Sequence, residues 1–334
     1  MSEFNRQIPA QSYCGKPWRA LAETPGVGGK VLREFEPAAN EPCPDDKFLG
    51  WLELTPFENE QILRFAEYVL KNENLGHGSA TDLLTISLSA NDYVGHAFGP
   101  YSPEVADTTL RTDRYLVEFF AALDRQVGLP NVWIVLSADH GVAPTPAFIK
   151  DHKLGPGRFD PKAVRTAVES ALSKAFGRDQ WVEDFDERSI YLNLVAVNPH
   201  RIEREKAEKI AADAATSVPG VWAAWTRNQF ITGSLPDSPL ARKASNSFYG
   251  QRSPDIFIVL QSFATPADTD TSATHGTPWN YDSQVPLIFW GSGFKPGTYT
   301  TPCQTIDVAP TLAAVLGLTQ PSGAQGHPLA EAIK

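Results

Sequence analysis

A chain of 334 residues is long enough for one large α/β domain, or for such a domain carrying a smaller inserted one. With 42% hydrophobic and 20% charged residues it can build a sizeable core, and a net charge of −10 excludes a surface made to neutralise a nucleic-acid backbone. That charge does not exclude a phosphate substrate, because bound divalent cations make one site locally positive on an acidic protein.

Residues 1–50 read as irregular, broken by Pro9, Pro17, Pro25, Pro37, Pro42 and Pro44, and the opening residues Met1 to Gln7 contain no apolar core of an export signal. Three cysteines, Cys14, Cys43 and Cys303, leave room for one bridge such as Cys14–Cys43, and not for a complete disulfide framework. Thr55-Pro56-Phe57-Glu58 predicts a helix start with Thr55 as N-cap, followed by Ile62, Leu63, Phe65, Ala66, Val69 and Leu70 at helical spacing. Leu83 to Leu88 predicts a buried strand. Ser102-Pro103-Glu104 opens a long amphipathic helix that closes near Gly128, and Val132 to Leu136 predicts a second strand. Strand, helix and strand in succession imply a right-handed parallel crossover.

Residues 151–250 change character. Helical patterns near 161–176 and 199–216 flank an alternating segment at Ser189 to Leu194, which predicts a smaller α/β subdomain inserted between core segments 1–150 and 251–334. The main sheet is expected to resume at Asp255 to Leu260 and Val285 to Trp290, and a last helix runs from Asp307 to Leu316, ending at Gly317. No apolar run reaches the ~18 residues of a membrane span.

Three motifs fall just beyond predicted strands, the edge at which open α/β sheets bind ligands. The first is Asp92-Tyr93-Val94-Gly95-His96, whose carboxylate and imidazole can converge on one zinc ion. Ser137-Ala138-Asp139-His140-Gly141 is the second, with a glycine where the chain must turn sharply. The third is Thr274-His275-Gly276. Each alone is explained as well by a solvated loop, a turn or a surface histidine. Together they are specific, because paired strands lie ~4.8 Å apart and would bring five ligands to one crevice, as a two-metal phosphoryl-transfer site requires. His77, His152, His200 and His327 sit in turn-rich or charged segments and read as structural or solvated.

Asn91 to His96, Ala138 to Gly141 and Thr274 to Gly276 resemble, in order, three metal-binding motifs of the alkaline phosphatase superfamily. The similarity is closest to its threonine-nucleophile alkaline phosphatases, related to type I phosphodiesterases and nucleotide pyrophosphatases. Thr55 to Glu60 and Asp307 to Leu312 also look like segments of that family. The resemblance implies an α/β fold with a mainly parallel sheet between helices, and an inserted subdomain. It also implies two zinc ions: one on Asp92, His96 and His275, the other on Asp139, His140 and a third aspartate. That aspartate and the threonine nucleophile find no counterpart upstream of Asp92, so the first strands of the sheet are expected to be missing, the chain truncated at its N-terminus, zinc binding reduced to about one ion and turnover weak or absent. The implied substrate is a small phosphate monoester, with a phosphodiesterase or a non-catalytic zinc-binding remnant as competing readings. A sulfatase is disfavoured because Cys303 lies in Pro302-Cys303-Gln304-Thr305 and not in a C-x-P-x-R setting. Localisation in the periplasm or outside the cell is implied by the resemblance alone; oligomeric state is not legible.

Overall fold

Helical spacing of apolar residues sets the long helices, and a computed structural model of the chain describes residues 2–35, 43, 45–186, 188–193 and 203–334. Pro37, Pro42, Pro44, Leu194, His200 and the start of the 199–216 helix lie outside the described residues. The chain divides into two compact units, one of Met1–Gly95, Tyr101–Asp139 and Val285–Lys334, the other of His96–Pro100 and His140–Gln284.

In the first unit the helices Phe57–Asn72 and Pro103–Gln126 pack together through Leu63, Ala66 and Phe119. The second begins as its sequence predicts: the Ser102 hydroxyl accepts a hydrogen bond from the Val105 amide, and Pro103 follows at the first turn. Thr55 is not an N-cap. A helix at Asp46–Glu53 directly precedes it, so its hydroxyl instead donates to the Leu52 carbonyl at 2.7 Å and closes that helix.

The expected strand at 83–88 forms no ladder among the described residues. Ile86 and Leu88 alternate onto the helix pair, so the segment is extended but held by side chains rather than by a partner strand, and the predicted parallel crossover is not made. Ile134–Ser137 pairs antiparallel with Leu287–Trp290, Leu136 opposite Ile288 and Ile134 opposite Trp290.

Residues 2–35 are also more ordered than their prolines suggest. A helix at Ser2–Gln7 and a small antiparallel pair, Trp18–Arg19 with Val31–Arg33, bring Phe4, Tyr13 and Trp18 into the core. Cys14 and Cys43 form a disulfide, Cα atoms 6.1 Å apart, and Cys303 is free and exposed.

The second unit centres on a four-stranded antiparallel sheet: Val182–Asp186, Ser189–Leu192, Ile256–Leu260 and Val221–Thr226, in that spatial order. The strand at 256–260, expected to rejoin the main sheet, pairs here instead, with Ile190 opposite Ile256 and Ala223 opposite Val259. One face is covered by the helices Pro161–Phe176 and Arg204–Thr216. Val164, Val168 and Leu172 of the first helix meet Ala207, Ala211 and Ala215 of the second, small residues that allow close approach. The other face holds Trp225 and Val259 against Ala241 and Ala244 of the helix Pro239–Asn246. The class is α/β; apart from the short parallel pair Gly157–Arg158 with Ala264–Thr265, the ladders among the described residues are antiparallel.

Candidate metal centre

Asp92 and His96 do not lie in a loop. They sit one turn apart on the helix Ala90–Phe98, and positions i and i+4 of a helix present their side chains on the same face. The start of this helix is held by buried Asn59, whose side-chain oxygen accepts from the Ala90 amide at 3.1 Å. The Asn59 amide group donates to Asn91 and to Thr112 at 3.0 and 2.9 Å. The position before the Asp92 motif is thereby fixed from two other helices.

His96 is bound to residue 273 twice. Its ring Nδ1 stands 2.7 Å from the Ala273 carbonyl oxygen, and its own carbonyl accepts from the Ala273 amide at 2.9 Å. A carbonyl oxygen only accepts, so Nδ1 carries the proton and Nε2 carries the lone pair that a metal takes.

Asp139 and His140 follow the strand Ile134–Ser137 after a single residue, Ala138, at the strand end where the sequence placed them. His140 Nδ1 is 2.9 Å from the Gly141 carbonyl, which sets the same tautomer. Gly141 owes its identity to crowding: a Cβ there would lie 2.2 Å from the Tyr281 carbonyl oxygen, and its amide donates to the Asp282 carbonyl at 2.6 Å. His275 precedes Gly276, whose φ of +101° disfavours any residue with a side chain and whose backbone lies against the Arg188 guanidinium. Arg188 in turn donates to the His275 carbonyl at 3.0 Å.

These contacts bring three imidazoles together within the second unit. The His140 and His275 rings stack with centroids 3.4 Å apart, and those of His96 and His275 are 4.9 Å apart. His140 and His275 each offer a ring nitrogen, the two atoms within 4.8 Å of one another. Two nitrogens on one tetrahedral zinc sit roughly 3.4 Å apart, and ligands of adjacent ions sit somewhat further, so this donor set fits either arrangement. His275 thus packs against the histidine that follows Asp139 and the one a helical turn after Asp92.

Three supporting residues escaped the sequence analysis: Asn59, Arg188 and Asp282. Asp282 is 2% exposed; burial pushes its carboxyl above the usual range, opposed by hydrogen bonds from Thr277. A lone acid in the short polar stretch between His275-Gly276 and an apolar strand was the available signal. His77 and His327 are exposed, and His152 is an exposed ring stacked on Phe148 with its Nδ1 on the Phe148 carbonyl.

The model of the type I phosphodiesterase / nucleotide pyrophosphatase family matches residues 3–279. The chain belongs to that family. Alkaline phosphatase PafA of Elizabethkingia meningoseptica is 34% identical over 285 residues, covering 85% of this chain and 52% of its own. Alkaline phosphatase PhoV of Synechococcus elongatus is 30% identical over 347 positions, covering 100% of this chain and 62% of its own. The crystal structure of wild-type PafA superposes with a TM-score of 0.86 at 30% identity, covering 100% of this chain and 66% of that one. This family member therefore falls within the alkaline phosphatase superfamily, and it spans between half and two thirds of the length of these relatives.

Proposed function

We propose that this chain supplies the metal-binding part of a zinc-dependent phosphate monoesterase. Asp92, His96 and His275 would hold one ion, with Asp139 and His140 contributing to a second. The observation that carries this is the convergence of His96, His140 and His275, two of them with Nδ1–H on a backbone carbonyl. Metal-binding histidines are oriented in this way. Asp92 and Asp139 join the set through chain linkage, one helical turn before His96 and one residue before His140. The imidazole and carboxylate donors suit zinc.

Bound zinc would supply Lewis-acid stabilisation of charge developing on phosphate oxygens. The chain's own part is to present the lone pairs in fixed directions: the Ala273 and Gly141 carbonyls hold the His96 and His140 tautomers, and Arg188 fixes the backbone of His275. About one zinc and little turnover are proposed for these 334 residues, on the reading that the sequence before Asp92 holds no aspartate-ended strand followed by a threonine-opened helix. The names of PafA and PhoV support a monoester substrate. The family's own description favours a diester as the second reading. The Cys14–Cys43 disulfide supports an oxidising compartment outside the cytoplasm. Among the described residues no helix is long and apolar enough to cross a membrane.

Zinc content after dialysis, measured on the wild-type chain and on His275→Ala, tests the site. About one ion per wild-type chain and at least a tenfold weaker affinity in the variant are expected. Equal uptake by both would remove His275 from the site. Hydrolysis of an aryl phosphate and a bis-aryl phosphate by the same preparations tests the rest: vigorous turnover would show that a nucleophile is present after all, and the ratio of the two rates would separate monoesterase from diesterase.

A further inference from the structure

We infer that Asp282 is a positioning residue that couples the His140 loop to the His275 loop. It does so with different atoms in the two directions. Its carbonyl oxygen accepts from the Gly141 amide at 2.6 Å, one residue after His140. Its carboxylate Oδ2 accepts from the Thr277 amide at 2.8 Å and from the Thr277 hydroxyl at 2.6 Å, two residues after His275. One residue therefore fixes the exits of both histidine-bearing turns. The stacking of the two rings at 3.4 Å follows from those exits being held together.

The surroundings make Asp282 a rigid anchor. The short helix Asn280–Ser283 that carries it is tied from outside by Lys243, whose ammonium donates to the Pro278 carbonyl, the Asn280 side chain and the Ser283 hydroxyl. Trp279 donates to the Leu260 carbonyl at 2.9 Å, and the Tyr281 hydroxyl accepts from the Phe263 amide at 3.1 Å, which pins the turn to the end of the central sheet. Asp282 Oδ1 is buried without a hydrogen-bond partner among the described residues. A buried carboxylate oxygen left in that state is costly, and such a group persists where its other contacts hold a geometry that matters. Glycine at 141 and 276 completes the device, since a side chain at 141 would strike the Tyr281 carbonyl and the φ of +101° at 276 is one that other residues rarely adopt. The inference builds on the metal-binding role proposed above, but the coupling itself is a property of the metal-free chain.

The test uses the 334-residue chain with Asp282→Ala and Asp282→Asn. Asparagine keeps a side-chain oxygen that can accept from Thr277, whereas alanine keeps none. In the metal-free proteins, hydrogen exchange at the Gly141 and Thr277 amides should quicken together in Asp282→Ala and stay near wild type in Asp282→Asn. Zinc affinity should fall about 10–100-fold in the alanine variant, with most of the loss recovered by asparagine, and the visible spectrum of the cobalt-loaded protein should change in the alanine variant only. Exchange at Gly141 unchanged in a folded Asp282→Ala would overturn the coupling. A lowered melting temperature with wild-type zinc affinity and cobalt spectrum would reduce Asp282 to a fold-supporting residue and overturn it too. Absence of zinc uptake by the wild type would sink the metal-binding role, and the exchange measurement would still decide the coupling.

Discussion

Among single side chains, Glu58 is an acid poorly matched to its surroundings. Its Oε2 is buried without a hydrogen-bond partner among the described residues, and burial, followed by repulsion from Glu53, pushes its carboxyl up to about 7. A carboxyl whose folded-state value is raised stabilises the protein fully below the unfolded value of 4.5, and that contribution is lost as the pH rises through about 7. Glu58→Gln removes the cost of charging a buried oxygen. It should raise stability by about 1–3 kcal/mol at a pH of about 8 and change little near the unfolded value, as read by urea unfolding at the two pH values. An equal gain at both would mean that the glutamine packs better and that ionisation is not the cause.

Elements are joined in the first unit by one buried acid. Asp107, on the helix Pro103–Gln126, receives the Trp18 indole N–H at 2.6 Å, the Leu21 amide at 2.7 Å, the Thr24 hydroxyl at 2.6 Å and Arg111 at 2.7 Å. Burial alone would raise its carboxyl, but these donors outweigh burial and hold it below the usual range. Its stabilising contribution is therefore present above the unfolded value and is lost as the pH falls through the folded one. Asp107→Ala would strand the Arg111 charge and three other donors, at a cost of about 3–5 kcal/mol. Thermal unfolding should show this loss, and proteolysis within 18–33 should begin below the main transition.

This tie also explains what could be read from the chain beforehand. The 103–126 helix was legible because Ser102-Pro103 and Gly128 mark its ends locally. The docking of residues 2–35 was not, because one aspartate on a helix gives no sign of partners more than eighty residues away. Strand-like alternation at 83–88 looks the same whether the residues ladder or rest on helices, and pairing of the 256–260 strand depends on segments far along the chain. The three histidines that come together in the second unit were legible as motifs. The residues that support them, Asn59, Arg188 and Asp282, were not, since each acts at least partly on backbone groups, which carry no sequence signature.

At the scale of the whole molecule, the antiparallel pair Ile134–Ser137 and Leu287–Trp290 leaves one face open. Phe289 turns toward Phe294, with ring centroids 5.1 Å apart, and that side is covered. On the opposite side Leu136, Ile288 and Trp290 are 38%, 54% and 45% exposed, and opposed pairing makes them one continuous apolar face. Leu83, 79% exposed on the unladdered segment of the same unit, adds to the apolar surface facing water. Scattered apolar residues on a surface are ordinary, but a contiguous face on a strand pair invites association. Ile288→Lys and Trp290→Lys should therefore lower binding of a hydrophobic dye and slow concentration-dependent light scattering. Because both side chains already meet solvent, the thermal midpoint should stay within about 2 °C of wild type. A large drop in midpoint with unchanged scattering would mean that these side chains support the sheet and that this face does not drive association.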